Sequence, residues 1–329
     1  MEDQSLLNVK DQGVFSMLGR RKAQEDSFVL HEYHEAQLGN LLLAGVFDGH
    51  GGNAASTVVS KFLPEELLTS YSDQESEQKS NDLEKALEES WKSLCDSYRS
   101  GCDGNKESCI AYYDEIEGII EAGTGSRDLV AGTTATVALV PFENASELIV
   151  LNCGDSRTLL CGNPKAKPSF LSKPSLVQFS TRDHSPKDKS EQMRLKEGKR
   201  SGLKYSTPEC SMSRWWLQVG DYQYAVTRSL EGRFATSKGI VSEPDIYRVC
   251  LKGARSELDS PTIVLASDGL FEVIDNESVA KIVLNYRNDN VSASDIAKIL
   301  CSEAVRKGSS DNVSAVVIFL DPHDTITEK

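Results

Sequence analysis

An apolar run, Leu41-Leu-Leu-Ala-Gly-Val-Phe47, stops abruptly at Asp48 and is followed by Gly49-His-Gly-Gly52. A run this short reads as a central strand of a packed sheet. Its end brings the Asp48 carboxylate, the Gly49 carbonyl and the His50 imidazole to one point. The glycines allow a sharp turn and the close approach of a ligand. Oxygen donors fixed at the rim of a rigid strand suit a hard divalent cation such as Mg²⁺ or Mn²⁺. Taken alone, the stretch fits an ordinary strand followed by an Asp-Gly turn equally well.

The junction recurs along the chain. Pro261-Thr-Ile-Val-Leu-Ala266 runs into Ser267-Asp268-Gly269, the strand over 147–154 ends at Asp155, and Asp311-Asn312 opens the apolar strand that reaches Leu320. Glu25 and Asp26 add an acidic pair just before Phe28-Val-Leu30. Carboxylates gathered at one sheet edge repel each other unless cations neutralise them. A two-metal centre fits, with ions roughly 3.5–4 Å apart sharing a carboxylate and a water that becomes the nucleophile. A histidine beside it, with an ordinary pKa of about 6.5, has the chemistry to protonate a leaving oxygen. Arg20, Arg21 and Lys22 precede the acidic pair. Two readings of them stand: a solvated charged loop, or a guanidinium whose planar fork meets phosphate oxygens.

Between these junctions the pattern mixes helices with strands joined by short turns, which is antiparallel connectivity. Two short strands are expected within 13–31. Helical periodicity covers 53–71, with a kink or break expected at Pro64. A polar surface loop is expected over 72–82, then an amphipathic helix from Leu83 to Tyr98 with Leu87, Trp91 and Leu94 on its stripe. The stretch 100–127 is a long surface excursion of weak patterning. Strands follow over 131–140, 147–154 and 157–161, another ends near Pro186, and that proline is expected to open a charged helix. The segment 198–220 is irregular and holds Trp215-Trp216, which read either as a lid packed on the core or as a partner-binding pair. Helices are expected over 276–286 and 292–306.

The chain has 329 residues, 39% hydrophobic, enough for a large core. Its net charge of −14 argues against a nucleic-acid surface, which needs a basic patch. No apolar run approaches the roughly 18 residues of a membrane span, and Met1-Glu-Asp-Gln has no secretory pattern. Eight cysteines lie scattered without a Cys-x-x-Cys pair. Cys153, Cys161, Cys250 and Cys301 read as small buried hydrophobes, and the seven-residue spacing of Cys95, Cys102 and Cys109 as chance. Together they indicate a reducing, intracellular setting: cytoplasm or nucleus, or a plastid if a transit peptide has been trimmed.

The whole set resembles the metal-dependent protein phosphatases, the type 2C Ser/Thr family. The resemblance rests on Gly19-Arg-Arg-Lys-Ala-Gln-Glu-Asp26, Val46-Phe-Asp-Gly-His-Gly-Gly52, Gly132-Thr-Thr-Ala135, Asn152-Cys-Gly-Asp-Ser-Arg157 and Asp183-His-Ser-Pro186. It continues through Ala225-Val-Thr-Arg-Ser-Leu230, Glu243-Pro-Asp245, Ala266-Ser-Asp-Gly-Leu-Phe271 and Ser310-Asp-Asn-Val-Ser314. Nine pieces in family order span nearly the whole chain. The resemblance implies an α+β fold, a four-layer α-β-β-α sandwich with two mainly antiparallel central sheets. Residues 1–329 would form a single catalytic domain with an insertion near 100–127 and a flap near 198–220. It implies two Mg²⁺ or Mn²⁺ ions and a weaker third. Asp48 would bridge the first two, with the Gly49 carbonyl on the first and Asp268 and Asp311 completing the second. Asp155, with Asp268, would hold the third, and Glu25 and Asp26 would act through waters or as outer acceptors. Arg21 would bind phosphate, with Arg20 the fallback, and His50 would be the general acid.

The implied reaction is hydrolysis of phosphoserine and phosphothreonine in proteins by a water or hydroxide bridging the two ions. A monomer is the default expectation, since no oligomerisation element stands out in the sequence. Three places depart from the family pattern. Ser229-Leu230 is followed by Glu231-Gly-Arg233 where the family has Gly-Asp, a Gly-Gly before the flap is replaced by Glu197-Gly-Lys-Arg-Ser-Gly202, and 100–127 is long. An alternative is therefore a catalytically weak or inactive scaffold on the same fold, and a small-molecule phosphoesterase is a third reading.

Overall fold

The computed structural model describes residues 7–35, 38–76, 82–102, 110–114, 118–122, 131–143, 145–165, 174–197, 215–219, 222–251 and 258–322. The chain begins with strands β1 (Leu7–Met17), β2 (Ser27–Glu35), β3 (Gly39–Phe47) and β4 (Gly49–His50), then helices α1 (Ala54–Ser76) and α2 (Leu83–Cys102). Strands β5 (Ile110–Asp114), β6 (Gly118–Ala122), β7 (Gly132–Thr133), β8 (Ala135–Pro141) and β9 (Glu147–Cys153) follow. Next come β10 (Arg157–Pro164), β11 (Val177–Ser180), α3 (Lys189–Glu197), β12 (Leu217–Val219), β13 (Tyr222–Tyr224) and β14 (Leu230–Glu231). The remainder is α4 (Arg233–Lys238), β15 (Asp245–Cys250), β16 (Leu258–Ala266), α5 (Asp268–Phe271), α6 (Asn276–Asn288), α7 (Ala293–Arg306) and β17 (Val313–Pro322).

Two five-stranded antiparallel sheets carry the architecture, in the orders β1-β17-β16-β10-β11 and β15-β9-β8-β3-β2. Strand β3 explains how they stack. Leu42, Ala44 and Val46 point into a core shared with Ile263, Leu265, Val316 and Ile318 of the other sheet. Leu41, Leu43 and Phe47 point the opposite way, against Val59, Leu63 and Leu67 of α1 and Leu87 and Trp91 of α2. Both faces are dry, so the strand is apolar throughout rather than alternating. On the far side, Val264 and Val317 pack against Val279 and Val283 of α6 and Ile296 and Leu300 of α7. The result is the expected α-β-β-α stack. Strand β1 pairs along its length with β17, Leu7 opposite Pro322, so strands from opposite ends of the chain lie side by side.

Several local expectations are corrected. Helix α1 runs unbroken through Pro64 and on to Ser76, into the stretch expected as loop; 77–81 lie outside the described residues. Pro64 forfeits one i→i−4 bond. Buried Leu63 and Leu67 on either side hold the helix on the sheet, and the Tyr33 hydroxyl donates to the Pro64 carbonyl at 2.8 Å. The excursion over 100–127 contains the β5–β6 hairpin. Pro186 stops short of α3, whose first turn is capped by Asp188, accepting from the amides of Ser190 and Glu191 at 2.9 and 3.0 Å. Cys250 is exposed because it ends the edge strand β15, whereas Cys95 is buried on the inner stripe of α2.

Candidate active site

The loops that leave β3, β9 and β16 and those that enter β2 and β17 meet at one end of the sandwich. There a cavity of about 330 Å³ is lined by Arg21, Glu25, Asp48, Gly49, His50, Asp155, Asp268 and Asp311, with Thr134, Trp216, Tyr222 and Tyr224. Eight of the nine expected site residues thus face one space. The ninth, Asp26, lies buried behind it. Ser267 and Ser314 donate to its Oδ2 at 3.0 and 2.7 Å. Trp215 lines a second hollow that shares Asp155 and Asp268 with the first.

Each acid is held by its own junction. Asp48 follows β3 and is fixed through its backbone: its amide donates to Thr134 Oγ1 at 3.2 Å and its carbonyl accepts from the Thr134 amide at 2.9 Å. The following turn needs Gly51 and Gly52, whose φ values are +66° and +107°. Asp268 opens the short α5 just past β16, where the Ser267 amide bonds the Ser314 carbonyl and the Ser314 amide returns the bond to Ser267 Oγ, both at 3.0 Å. Asn312, beside Asp311, accepts from the Glu25 amide at 2.9 Å and donates to the carbonyls of Leu18 and Ala23 at 2.8 and 3.1 Å. That one side chain fastens the arginine-bearing loop to the end of β17. Glu25 Oε1 accepts the Gly52 amide at 2.6 Å, which closes the ring of loops.

The electrostatics are those of an acid cluster. Burial first, then the nearby Asp26, Asp268, Asp311 and Asp155, push Asp48 well above the usual carboxylate range. Burial raises Asp26 to about 7, against the two serine hydrogen bonds that favour its charge. Arg21 offsets part of the cluster, its guanidinium donating to Asp311 Oδ2 at 2.6 Å. Among the described residues, no group of three or more acid, histidine or cysteine side chains stands close enough to cage an ion alone. Mg²⁺ does not require such a cage: it keeps several waters and is held through one or two carboxylates. All-oxygen donors spread round a cavity, repelling one another at Asp48, fit hard dications.

His50 faces the cavity with Nε2 2.6 Å from Glu231 Oε1 and its ring edge-on to Tyr224, centroids 5.8 Å apart. Burial lowers its pKa, and the Glu231 carboxylate more than reverses this, leaving it above the ordinary imidazole value. Glu231, Thr134, Ser267 and Ser314 are among the residues at the site to which the sequence alone assigned no role, as are Asn312, Tyr222 and Tyr224. Of the first four, Thr134, Ser267 and Ser314 lie inside the motifs that carry the resemblance, so a signal was present; Glu231 lies outside them and stood out only as a departure.

The family model for protein phosphatase 2C matches residues 10–313. The chain is 28% identical over 316 residues to protein phosphatase 1K, mitochondrial, of Xenopus laevis, covering 95% of this chain and 68% of that protein. It is 27% identical to mouse protein phosphatase 1B, covering 96% of this chain and 72% of the relative. The solved serine-threonine phosphatase 2C of Toxoplasma gondii superposes with a TM-score of 0.69 at 19% identity, over 96% of this chain and 98% of that one, which establishes the shared fold. The chain belongs to the protein phosphatase 2C family. It is by that membership a protein serine/threonine phosphatase, an enzyme class that depends on metal ions.

Proposed function

We propose that this chain dephosphorylates phosphoserine and phosphothreonine in proteins as a single catalytic unit and a monomer, with two Mg²⁺ or Mn²⁺ ions at the core of the cavity and a weaker third. The observation that carries the residue roles is the convergence of eight separately placed residues on one cavity. Asp48, the Gly49 carbonyl, Asp268 and Asp311 would hold the two core ions, and Asp155 with Asp268 the third. Glu25 and Asp26 would act behind them, Asp26 through the serines that orient Asp268 and β17. When bound, the ions supply Lewis-acid stabilisation of the phosphoryl oxygens and acidify the attacking water.

The chain's own groups do the rest. Arg21 binds the non-reacting phosphoryl oxygens, for which its planar fork is suited. His50 hands a proton to the departing serine or threonine oxygen. Trp216, Tyr222 and Tyr224 line the cavity beside the acids, and Trp216 and Tyr222 would meet the polypeptide around the phosphorylated residue. Among the described residues five cysteines are free thiols, four of them buried, which supports a reducing compartment such as cytoplasm, nucleus or plastid stroma. No described helix is long and apolar enough to cross a membrane.

The test is hydrolysis of a phosphothreonine peptide and of p-nitrophenyl phosphate with Mn²⁺, with Mg²⁺ and with EDTA, beside Asp48→Asn. Metal-dependent turnover that disappears in Asp48→Asn is the expected result. A folded, metal-loaded wild type that turns over neither substrate would return the reading to a scaffold protein.

A further inference from the structure

We infer that Glu231 is the positioning residue for His50, holding the imidazole by Nε2 so that Nδ1 is the nitrogen that serves the leaving oxygen. The inference rests on the general-acid reading of His50 given above.

The geometry comes from the three-stranded sheet β14-β7-β4. Glu231 and His50 both register opposite Gly132 of the middle strand, one from each side. A Cβ at Gly132 would stand 2.5 Å from Glu231 Oε1, so the missing side chain is the opening through which the carboxylate reaches across to the ring. Oε1 also accepts from Ser229 Oγ at 2.6 Å, which fixes the carboxylate's rotamer. The Glu231 side chain is fully buried, and its Oε2 accepts no hydrogen bond among the described residues. A buried carboxylate kept for stability is normally satisfied at both oxygens, because each bare one is costly. Here the hydrogen bonds to the carboxylate converge on the oxygen that touches His50. Arg99, the nearby cation, donates to the Glu231 backbone carbonyl at 3.1 Å and not to the carboxylate. A carboxylate that accepts from one ring nitrogen sets the tautomer and aims the other nitrogen, the division of labour seen in Ser-His-Asp sites with the two nitrogens exchanged.

Water attacks phosphorus and releases one proton to solvent. The phosphorus–oxygen bond to serine or threonine breaks with its electron pair on that oxygen, which takes the proton from His50 Nδ1. Neutral His50 regains a proton from solvent, and Glu231 accepts a hydrogen bond from Nε2 throughout without taking the proton.

The experiment compares Glu231→Gln with wild type on two substrates under saturating Mn²⁺. A phosphothreonine peptide has a strongly basic leaving oxygen that needs a proton, whereas p-nitrophenolate leaves without one. Glu231→Gln is expected to lower kcat on the peptide roughly 100-fold, the low end of what a positioned general acid contributes. On p-nitrophenyl phosphate the loss stays within about threefold, and KM for either substrate is little changed. In a His50→Gln background the same substitution costs nothing further on the peptide. Ser229→Ala, which removes only the rotamer lock, shifts the peptide-to-nitrophenyl ratio the same way by a smaller factor and serves if Glu231→Gln does not fold. A downfield imidazole N–H resonance present in wild type and lost in both Glu231→Gln and His50→Gln reports the contact without turnover. Equal losses on the two substrates, or a loss additive with His50→Gln, overturns the inference. A wild type inactive on both substrates with that resonance intact fails the phosphatase reading and leaves Glu231 holding an idle histidine.

Discussion

Arg21 and Asp311 are ion-paired at the mouth of the cavity, Nη2 to Oδ2 at 2.6 Å. The residue expected to hold phosphate is thus bonded to one expected to hold a metal ion. The guanidinium is about half exposed, so the pair is screened by solvent and exchanges readily. A cation held by Asp311 would free the fork of Arg21 for a phosphoryl group, which would tie phosphate capture to metal loading. Arg21→Ala is expected to raise KM for the phosphothreonine peptide about tenfold, the value of one charge-assisted hydrogen bond, with a smaller effect on kcat. The Mn²⁺ concentration for half-activation should stay level or fall, since a competitor for Asp311 is gone. Steady-state kinetics across a metal titration checks both, and a rise in the metal requirement refutes the competition.

Asp48→Asn separates stability from activity. In EDTA the wild type keeps Asp48 buried among Asp26, Asp268, Asp311 and Asp155, and burial first, then their repulsion, disfavours its charge. Replacing this carboxyl by a neutral amide should raise the melting temperature of the metal-free protein, while the thermal stabilisation by added Mg²⁺ shrinks and turnover is lost. Melting curves with and without Mg²⁺ decide it: an Asp48→Asn protein that is less stable than wild type in EDTA contradicts the acid-cluster account.

Glu191 contributes to acid stability away from the site. It is buried and ion-paired with Arg228 at 2.6 Å and Arg194 at 2.9 Å, and it accepts Thr227 Oγ1 at 2.9 Å. Burial alone would raise its pKa; the Arg228 and Arg194 partners overcome this and bring it down to about 2 from an ordinary 4.5. The folded value is depressed, so the contribution is full above pH 4.5 and is lost as pH falls toward 2. Glu191→Gln should cost about 3 kcal/mol at neutral pH, and the gap to wild type should close below pH 4.5 in urea unfolding. A gap that is constant with pH would mean that packing, and not charge, is at stake.

Pro64→Ala tests the unbroken helix. Alanine restores the missing bond from residue 64 to the carbonyl of Ser60 and leaves the Tyr33 contact to the residue-64 carbonyl available. The helix gain is offset by the freer unfolded chain, for a net stabilisation of about 1–2 kcal/mol. A drop in melting temperature would show that α1 depends on a bend at the proline.

How far the site could be read from sequence follows from where its geometry is set. Asp48, Asp155, Asp268 and Asp311 are visible because each sits at an abrupt change from apolar strand to glycine or asparagine, a local signal. The four layers are legible only through the resemblance, since β3 and β17 are dry on both faces and show no alternation to assign a side. Helix α1 through Pro64 was hidden because tertiary packing by Leu63 and Leu67 overrides a local breaker. The His50–Glu231 contact was illegible for another reason: it joins residues 181 apart and is made possible by the absence of a side chain at Gly132, which no composition or period records.

The pairing of β1 with β17 has a consequence for biosynthesis. Asp311 lies just ahead of β17, so it is among the last described residues to leave the ribosome, while Arg21, Glu25 and Asp48 are among the first. A nascent chain displays the early half of the cavity with nothing to close it until β17 zips between β1 and β16. Such long-range closure is slow compared with local folding. Dephosphorylating activity is therefore expected only after β17 has been translated, and a chain stalled before Asp311 would lack both the strand between β1 and β16 and one wall of the cavity.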